Sequence, residues 1–192
     1  MDDQLITHVR RFTPVNEEDA VRIISYFSPL SFAKKEIICE QGERCKYNFF
    51  VKKGCLRMFY HTEKGIDQTV QFAIENWWLS DYLAFEQQRP SVFAIQAVEY
   101  SEVLAIDYRT QDKLLQDVPL MERYFRLLYQ RAYGATQNRM KYLTDHSKEE
   151  AYRKFHNSFP EFTTRVPQQL LASYLHMTPE YLSEIKRRLK LE

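Results

Sequence analysis

The spacing of apolar side chains changes twice along the chain and divides it into three parts. In the first part, Asn16 precedes a run of acidic residues and is suited to cap a helix. Apolar residues then recur three and four positions apart, which is the spacing of one helical face. A helix is therefore predicted to end near Pro29, with an inner face made of Ala20, Ile23, Ile24 and Phe27.

Between Leu30 and Tyr108 the pattern becomes that of short strands separated by turn residues. The β-rich runs read EIICEQGE, YNFFVKKGCLRMFYHTEKGIDQTVQFAI and VFAIQAVEYSEVLAIDY. Lys53-Gly54 and Lys64-Gly65 mark turns, because glycine adopts positive φ readily. Val51 and the run Leu56 to Tyr60 are predicted to form the arms of a hairpin around the first turn. Several short strands within this length predict a compact β-barrel or jelly roll.

A helical pattern returns after Thr110. QDKLLQDVP predicts a short helix, and Leu120 to Leu143 then runs without proline and with one glycine, Gly134. So long an apolar stripe must be covered, either by a second copy of the helix or by the chain's own barrel. A homodimer is predicted, with an interface formed by Met121, Tyr124, Phe125, Leu128, Ala132 and Ala135.

Two more helical segments end the chain. Ser147 with Glu150 three positions later forms a capping box, and the helix that it starts is predicted to stop at Pro160. The segment from Val166 to Leu189 then reads as two helices joined by a turn. The first is predicted over Pro167 to Leu175, and Thr178 is suited to cap the second.

The second of these two helices, MTPEYLSEIKRRL, has one apolar and one polar face. Leu182, Ile185 and Leu189 form the apolar stripe, and the basic residues lie at the end of the helix. This arrangement is typical of a helix-turn-helix that reads DNA, but a surface helix whose basic end complements its dipole would look alike. The predicted DNA contacts are Gln168, Gln169, Thr178, Pro179, Glu180, Tyr181, Ser183, Glu184, Arg187 and Arg188.

The composition indicates a packed core, and the charges are distributed somewhat unevenly along the chain. Hydrophobic residues make up 44% and aromatic residues 15% of the 192, and the formal net charge is +1. From Arg139 onward, ten Lys and Arg stand against seven Asp and Glu, as expected of a C-terminus that binds nucleic acid. The N-terminus lacks the apolar stretch of a signal peptide and no run reaches transmembrane length, so a cytoplasmic protein without membrane contact is expected.

The order of these segments resembles the Crp/Fnr family of bacterial transcription regulators over nearly the whole chain. The resemblance is carried by EIICEQGE, YNFFVKKGCLRMFY, EYSEVLAI, the long helix and VPQQLLASYLHMTPEYLSEIKRRL. It implies an α+β chain with a cyclic-nucleotide-binding-like β-roll, a long dimerisation helix and a winged-helix-type helix-turn-helix. The implied domains are 1–116 for the sensor, 117–144 for the dimer helix and 145–192 for DNA binding.

The resemblance also implies function and partners. Its members activate or repress transcription in response to a signal sensed by the β-roll, so a homodimer on a pseudo-palindromic double-stranded DNA site is expected. RNA polymerase is a further candidate partner. The wing hairpin that usually follows the recognition helix is expected to be absent or truncated, since the given sequence ends at Glu192.

The residues that hold cyclic nucleotides in the family are not matched here. Asp81 and Tyr82 stand at the positions of the family's Gly-Glu pair, and Ser91 and Val92 at those of its Arg-Ser pair. A shifted loop that uses Glu86 and Arg89 is the alternative, giving the candidate pocket Tyr82, Glu86, Arg89, Ser91 and Val92. The chain is predicted not to bind cyclic AMP in the family manner, which leaves another small effector or none.

The recognition helix departs from the family as well. Pro179 and Glu184 occupy positions that often hold base-reading arginines, whereas Glu180 matches a position that is commonly acidic. His176 replaces the usual glycine of the turn. The sequence preference is therefore expected to differ, with much of the affinity coming from phosphate contacts.

Other functions find less support in the sequence. Cys39, Cys45 and Cys55 have spacings that match no iron–sulfur motif, and no geometry supports a zinc site completed by His61. They are predicted to be free buried thiols, and no metal or cofactor is expected. Without a nucleophile–base pair or a glycine-rich phosphate loop, an enzyme is not expected either. The remaining alternative is a ligand-sensing or protein-interaction module that has lost DNA binding.

Overall fold

The structure, a computed structural model, describes residues 3–189, which form two antiparallel sheets and a set of helices around them. The strands are β1 (Ser28–Phe32), β2 (Ile37–Cys39), β3 (Tyr47–Lys53), β4 (Leu56–His61), β5 (Asp67–Ala73), β6 (Trp78–Leu79), β7 (Ala94–Ala97) and β8 (Ser101–Asp107). The helices are α1 (Gln4–Arg10), α2 (Glu17–Ser25), α3 (Tyr82–Gln87), α4 (Tyr108–Asp117), α5 (Leu120–Asp145), α6 (Lys148–Ser158), α7 (Pro160–Arg165), α8 (Gln168–Tyr174) and α9 (Pro179–Leu189).

The strands form a two-sheet β-roll, which confirms the predicted β architecture within an α+β chain. One sheet has the order β1-β8-β3-β6 and the other β2-β7-β4-β5. β8 lies at the centre of the first sheet, because it pairs antiparallel with both β1 and β3. Four consecutive residues are buried in each of β3, β4 and β8.

The predicted hairpin at Lys53-Gly54 is wrong. β3 and β4 are consecutive in the chain, yet they belong to different sheets, with Val51 paired to Val103 of β8 and Met58 paired to Ile95 of β7. Gly54 has a φ of 98°, and a Cβ added there would lie 2.6 Å from the Ser101 Cα. The glycine therefore allows a close backbone approach where the chain crosses between sheets.

The described chain divides into two compact units. The first contains the residues up to Tyr60 together with Gln71–Gln130, and the second contains His61–Val70 together with the residues from Arg131 onward. α5 contributes residues to both units, and the three domains 1–116, 117–144 and 145–192 stay a prediction. None of the helices within residues 3–189 has the length and apolar character that crossing a membrane requires.

The core of the first unit includes the beginning of α5, which corrects part of the predicted dimer interface. Met121, Tyr124 and Phe125 are at most 3% exposed and pack among the apolar side chains of this unit. The Tyr124 hydroxyl also accepts a 2.8 Å hydrogen bond from Trp78 Nε1 and lies 2.8 Å from His8 Nδ1. These three side chains have no surface left for a second copy, and Leu128 packs partly against the same core.

Local signals account for most helix boundaries. Asn16 caps α2 by accepting from the Asp19 N–H, and Ser147 and Glu150 form the predicted capping box of α6. Pro160 separates α6 from α7 and is itself the first residue of α7. The short helix α1, capped by Asp3, was not predicted from the sequence.

Candidate nucleic-acid interface and sensor site

The two helices predicted within Val166 to Leu189 are α8 and α9, and both belong to the second unit. Pro167 is the N-cap of α8 rather than its first residue, and α8 ends at Tyr174. The turn is closed by a 3.0 Å hydrogen bond from the Met177 N–H to the Ala172 carbonyl. His176 has a φ of 54°, so histidine takes the left-handed conformation that glycine often takes at helix ends.

The two helices pack through the apolar faces that the spacing predicted. Leu171 and Ala172 of α8 and Leu182 and Ile185 of α9 are completely buried. The Thr178 hydroxyl caps α9 by accepting a 3.2 Å hydrogen bond from the Tyr181 N–H. Packing and cap together orient α9 so that its polar face remains exposed.

Most of the predicted DNA contacts lie on this exposed surface. Tyr181 is 37% exposed. The other exposed members of the set are Gln169, Thr178, Glu180, Ser183, Glu184, Arg187 and Arg188. Gln168 and Pro179 are half-buried. The Gln168 amide nitrogen donates to the Pro179 carbonyl at 3.0 Å and also contacts the Ser183 hydroxyl, so this side chain joins α8 to α9.

The two arginines of α9 are in different situations. Arg188 forms an ion pair with Glu149 of α6 at 3.1 Å and lies 3.8 Å from Glu184. Arg187 is exposed and pairs with no carboxylate among residues 3–189. Of these two arginines, Arg187 is therefore the one that can contact a phosphate without breaking an ion pair within residues 3–189.

Arg139 of α5, which was not identified from the sequence, is hydrogen-bonded to two other parts of the second unit. Its guanidinium donates to the Val70 carbonyl at 2.8 Å and to the Tyr174 carbonyl at 2.9 Å, and it lies 4.0 Å from the Tyr174 ring centroid. Burial lowers the pKa of Arg139. Burial also lowers the pKa of His176, with Arg139 and Lys148 adding to the effect. No sequence motif marks this arrangement, because its acceptors are backbone carbonyls.

Within the second unit, hydrogen bonds join the segment His61–Val70 to α8. The Ser173 hydroxyl donates to the Asp67 carbonyl at 2.8 Å and accepts from the Thr69 N–H at 2.8 Å. The Gln68 amide nitrogen also contacts the Ser173 carbonyl. His61, the histidine considered for a zinc site, lies 2.9 Å from the Asp67 carboxylate.

In the first unit, Asp81, which the sequence aligns with the family's Gly-Glu pair, lies at the centre of a hydrogen-bonded group. Its carboxylate caps α3 through the Ala84 N–H at 3.1 Å. It also accepts from the Ser91 hydroxyl at 2.9 Å and from the Val92 N–H at 3.3 Å. Only 6% of Asp81 is exposed, so its carboxylate is buried. It occupies hydrogen-bond donors that would also suit an oxygen atom of a ligand.

The five predicted pocket residues differ in their exposure. Ser91 is buried against Asp81, whereas Glu86 and Arg89 are exposed and Val92 is 57% exposed. The Tyr82 ring packs edge-on against Tyr129 at 5.0 Å, and burial raises the pKa of Tyr82. A cleft of about 300 Å³ in the same unit is lined instead by Arg44, Lys46, Tyr47, Gln88, Asp107, Tyr108 and Arg109.

Asp81 was treated in the sequence only as a mismatch to the family pattern. A capping signal was nevertheless present, because Asp81 precedes the apolar run that becomes α3. The two neighbouring tryptophans also differ: Trp78 is part of the core, while Trp77 is 44% exposed.

Comparison with known proteins agrees with the β-roll. Residues 29–118 match the family model described as the cyclic nucleotide-binding domain. This match spans β1 to the end of α4, which includes both sheets and the Asp81 region. A search of curated proteins finds no match.

Solved structures show that the fold extends over most of the chain. FixK2 from Bradyrhizobium japonicum has a TM-score of 0.74 and 17% identity, covering 86% of this chain and 85% of that one. The c-di-GMP responsive global regulator CLP of Xanthomonas campestris has a TM-score of 0.74 and 12% identity, with 92% of each chain covered. A CooA mutant from Carboxydothermus hydrogenoformans has a TM-score of 0.72 and 15% identity, covering 99% and 85%. The chain thus has the fold of Crp/Fnr-type regulators.

Proposed function

We propose that the chain is a homodimeric, sequence-specific DNA-binding transcription regulator of the Crp/Fnr type whose sensor domain does not respond to cyclic AMP. The observation that carries the DNA-binding part is the exposed polar face of α9. This face starts at a capped N-terminus and is held in place by the buried pair Leu182 and Ile185. A helix so mounted can enter the major groove with its first turns against base edges.

The residues on that face suggest separate roles. Glu180 and Ser183 lie in the first half of α9, where they would meet bases, and glutamate can accept from the amino group of cytosine. Arg187 lies near its end and is free to contact a phosphate. Arg188 would first have to leave Glu149, so its contribution is expected to be smaller.

The dimer is proposed to form through the second half of α5. Tyr133 and Met140 are 67% and 64% exposed and are seven residues apart, so they lie on the same side of the helix. Ala132 and Ala135 are exposed as well and are small enough to let helices approach. An interface here would cover apolar surface that the described chain leaves open.

The lack of a cyclic AMP response is supported by Asp81. Its buried carboxylate already uses the Ser91 hydroxyl and the Val92 N–H. A cyclic phosphate placed there would meet a negative charge and would find these donors occupied.

The alternative function, a sensing or protein-interaction module that does not bind DNA, is favoured by one observation. Glu180 and Glu184 are both exposed on the face that would approach DNA, where they repel phosphate. DNA binding by the intact chain decides between the two functions.

Enrichment from a random double-stranded DNA library tests the proposal. Successive rounds of binding and sequencing should recover a pseudo-palindrome whose half-sites lie about one helical turn apart, roughly 10 base pairs. Recovery of unrelated sequences at background level would support the module that does not bind DNA. Recovery of a single half-site would retain DNA binding and contradict the dimer.

A further inference from the structure

The cleft of about 300 Å³ in the first unit lies where several segments of the β-roll are held together by backbone pairing. Tyr47, the first residue of β3, pairs with Asp107, the last residue of β8, so the start of α4 lies beside the start of β3. Arg44 forms an isolated antiparallel bridge with Pro90, shortly after α3. The proposed DNA-binding function makes no use of this cleft.

Three of the residues that line the cleft are cations. Arg44 and Lys46 are exposed on either side of Cys45, which is completely buried, as expected of an extended segment whose side chains alternate. Arg109 joins them from the first turn of α4 and is exposed as well. None of the three side chains forms an ion pair with a carboxylate among residues 3–189.

Asp107, the acidic residue of the lining, is already engaged. One of its carboxylate oxygens caps α4 by accepting from the Thr110 N–H at 3.0 Å, and the other accepts from the Thr110 hydroxyl at 2.6 Å. The lining therefore has three cations and one carboxylate whose hydrogen bonds are internal. An anion that enters the cleft would reduce the repulsion between the cations.

The other lining residues suit the organic part of a ligand. The Tyr108 ring packs edge-on against Phe85 at 5.8 Å, and the Tyr47 ring packs against Phe49 at 6.0 Å, so both rings are held in place. The Gln88 amide nitrogen donates to the Phe85 carbonyl at 2.7 Å, which fixes this side chain too. The volume of the cleft is at the lower end of the range for small-molecule sites.

We propose that this cleft binds a small phosphate monoester, whose phosphate contacts Arg44, Lys46 and Arg109. Guanidinium groups offer paired N–H donors that match phosphate oxygens, and such charge-assisted hydrogen bonds are stronger than neutral ones. A phosphate monoester carries nearly two negative charges at neutral pH, which suits a group of three cations. The organic part of the ligand contacts Tyr47 and Tyr108.

This site differs from the Asp81 region in its residues and in its ligand. Asp81 is not among the residues that line the cleft. Cyclic AMP is a phosphodiester with a single negative charge, so it should bind in the cleft at least about tenfold more weakly than the monoester AMP. The inference goes beyond DNA binding and does not depend on it.

NMR titrations of the full chain with AMP and with glycerol phosphate test the proposal. Both esters should shift the backbone amide signals of Arg44, Gln88 and Arg109 saturably, with a dissociation constant below about 1 mM. The neutral compounds adenosine and glycerol should not shift them. Tighter binding of AMP would show that the base contributes to binding, whereas equal binding would show that the phosphate dominates; both support the site.

Two results would overturn the proposal. One is the absence of a saturable shift with either ester up to about 10 mM, or a shift with adenosine equal to that with AMP. The other is a shift of the same signals by a short double-stranded DNA when neither ester shifts them, because the cleft would then belong to a DNA-binding surface.

Neutral variants identify the cations that bind the phosphate. Arg44→Gln and Arg109→Gln should each weaken AMP binding by about three- to tenfold, because the lost contact is charged but exposed. Lys113→Gln removes the same charge from an exposed position of α4 outside the cleft and should leave the affinity unchanged. Equal weakening by all three substitutions would contradict the site. Circular dichroism checks that each variant is folded, and the titration of the natural chain decides the outcome where one is not.

Discussion

Asp81 accepts a 2.9 Å hydrogen bond from the Ser91 hydroxyl across the α3 segment, and both side chains are buried. The Asp81 carboxylate thereby joins the beginning of α3 to the start of the segment that leads into β7. In a cyclic-nucleotide-binding-like β-roll, this region would be expected to hold the phosphate. Here an acidic side chain of the protein itself uses the donors.

Calorimetric titration with cyclic AMP is therefore expected to show no binding at micromolar ligand concentrations. The physical reason is electrostatic, because a second anion would have to enter beside the buried Asp81 carboxylate, which already uses the Ser91 hydroxyl and the Val92 N–H. A saturable heat of binding at micromolar cyclic AMP would contradict the assignment. The same titration with Asp81→Asn tests whether the charge is the cause, since removing it should weaken the exclusion.

Replacing Asp81 by alanine should destabilise the fold. The substitution removes the cap of α3 and leaves the buried Ser91 hydroxyl and Val92 N–H without their shared acceptor. The expected loss in the free energy of unfolding is about 2 kcal/mol, measured by urea denaturation. Glu86→Ala in the exposed part of α3 is the matched control and should change stability little. If the two substitutions change the free energy of unfolding equally, the hydrogen bonds of the Asp81 carboxylate do not stabilise the fold.

Sequence signals predicted local structure better than they predicted strand partners. Asn16, Ser147 and Thr178 each cap the helix that follows them, because a cap depends only on residues three or four positions away. Gly54 was taken as a hairpin turn, but strand pairing depends on distant residues. β3 pairs with β8, about fifty residues later, and no local sequence pattern indicates that pairing.

The stability of the turn between α8 and α9 should depend on the residue at position 176. Because His176 has a φ of 54°, His176→Gly should raise the free energy of unfolding by about 1 kcal/mol. His176→Val should lower it, because a β-branched residue is poorly tolerated in the left-handed region. Urea denaturation of both variants checks the pair. Similar effects of glycine and valine would mean that this conformation does not govern stability.

The burial of the apolar stripe of α5 is a second feature that could not be predicted from the sequence. Helical spacing grouped Tyr124 with Ala132 on one face, but it could not show where the chain's own core ends. Tyr124 is completely buried in the first unit, whereas Ala132 is exposed in the second. Residues with this same spacing are therefore buried in the core in the first part of α5 and exposed to solvent in its later part.

Introducing a charge at Met140 should therefore dissociate the dimer. Met140→Glu places a carboxylate on the exposed apolar side that Tyr133 shares, where burial in an interface would be costly. Light scattering after size exclusion should give twice the chain mass of 23.2 kDa for the natural protein and a single mass for the variant. Gln87→Glu adds the same charge at an exposed site in α3 of the first unit, outside the proposed interface, and should remain dimeric. A monomeric natural protein, or a dimeric Met140→Glu, would contradict the interface.

The contribution of α9 can be divided between phosphate and base contacts. Arg187→Ala should weaken binding to all DNA sequences to a similar extent and reduce the salt dependence by about two ions per dimer, one for each Arg187. Glu180→Ala should instead change the relative affinities for different sequences. Lys113→Ala, at an exposed position in α4 of the first unit, is the charge-matched control for Arg187 and should leave binding unchanged. Indistinguishable effects of the Arg187 and Glu180 substitutions would contradict the placement of α9 in the groove.

The most direct test of the account is a DNA titration with the intact chain, using fragments from upstream of its own gene and a matched unrelated fragment. Fluorescence anisotropy should show specific binding to at least one upstream fragment. Its affinity should fall on the order of a thousandfold as salt rises from about 50 to about 200 mM. No binding to any double-stranded DNA at the lowest salt would contradict a DNA-binding regulator and leave the fold as a sensing or interaction module.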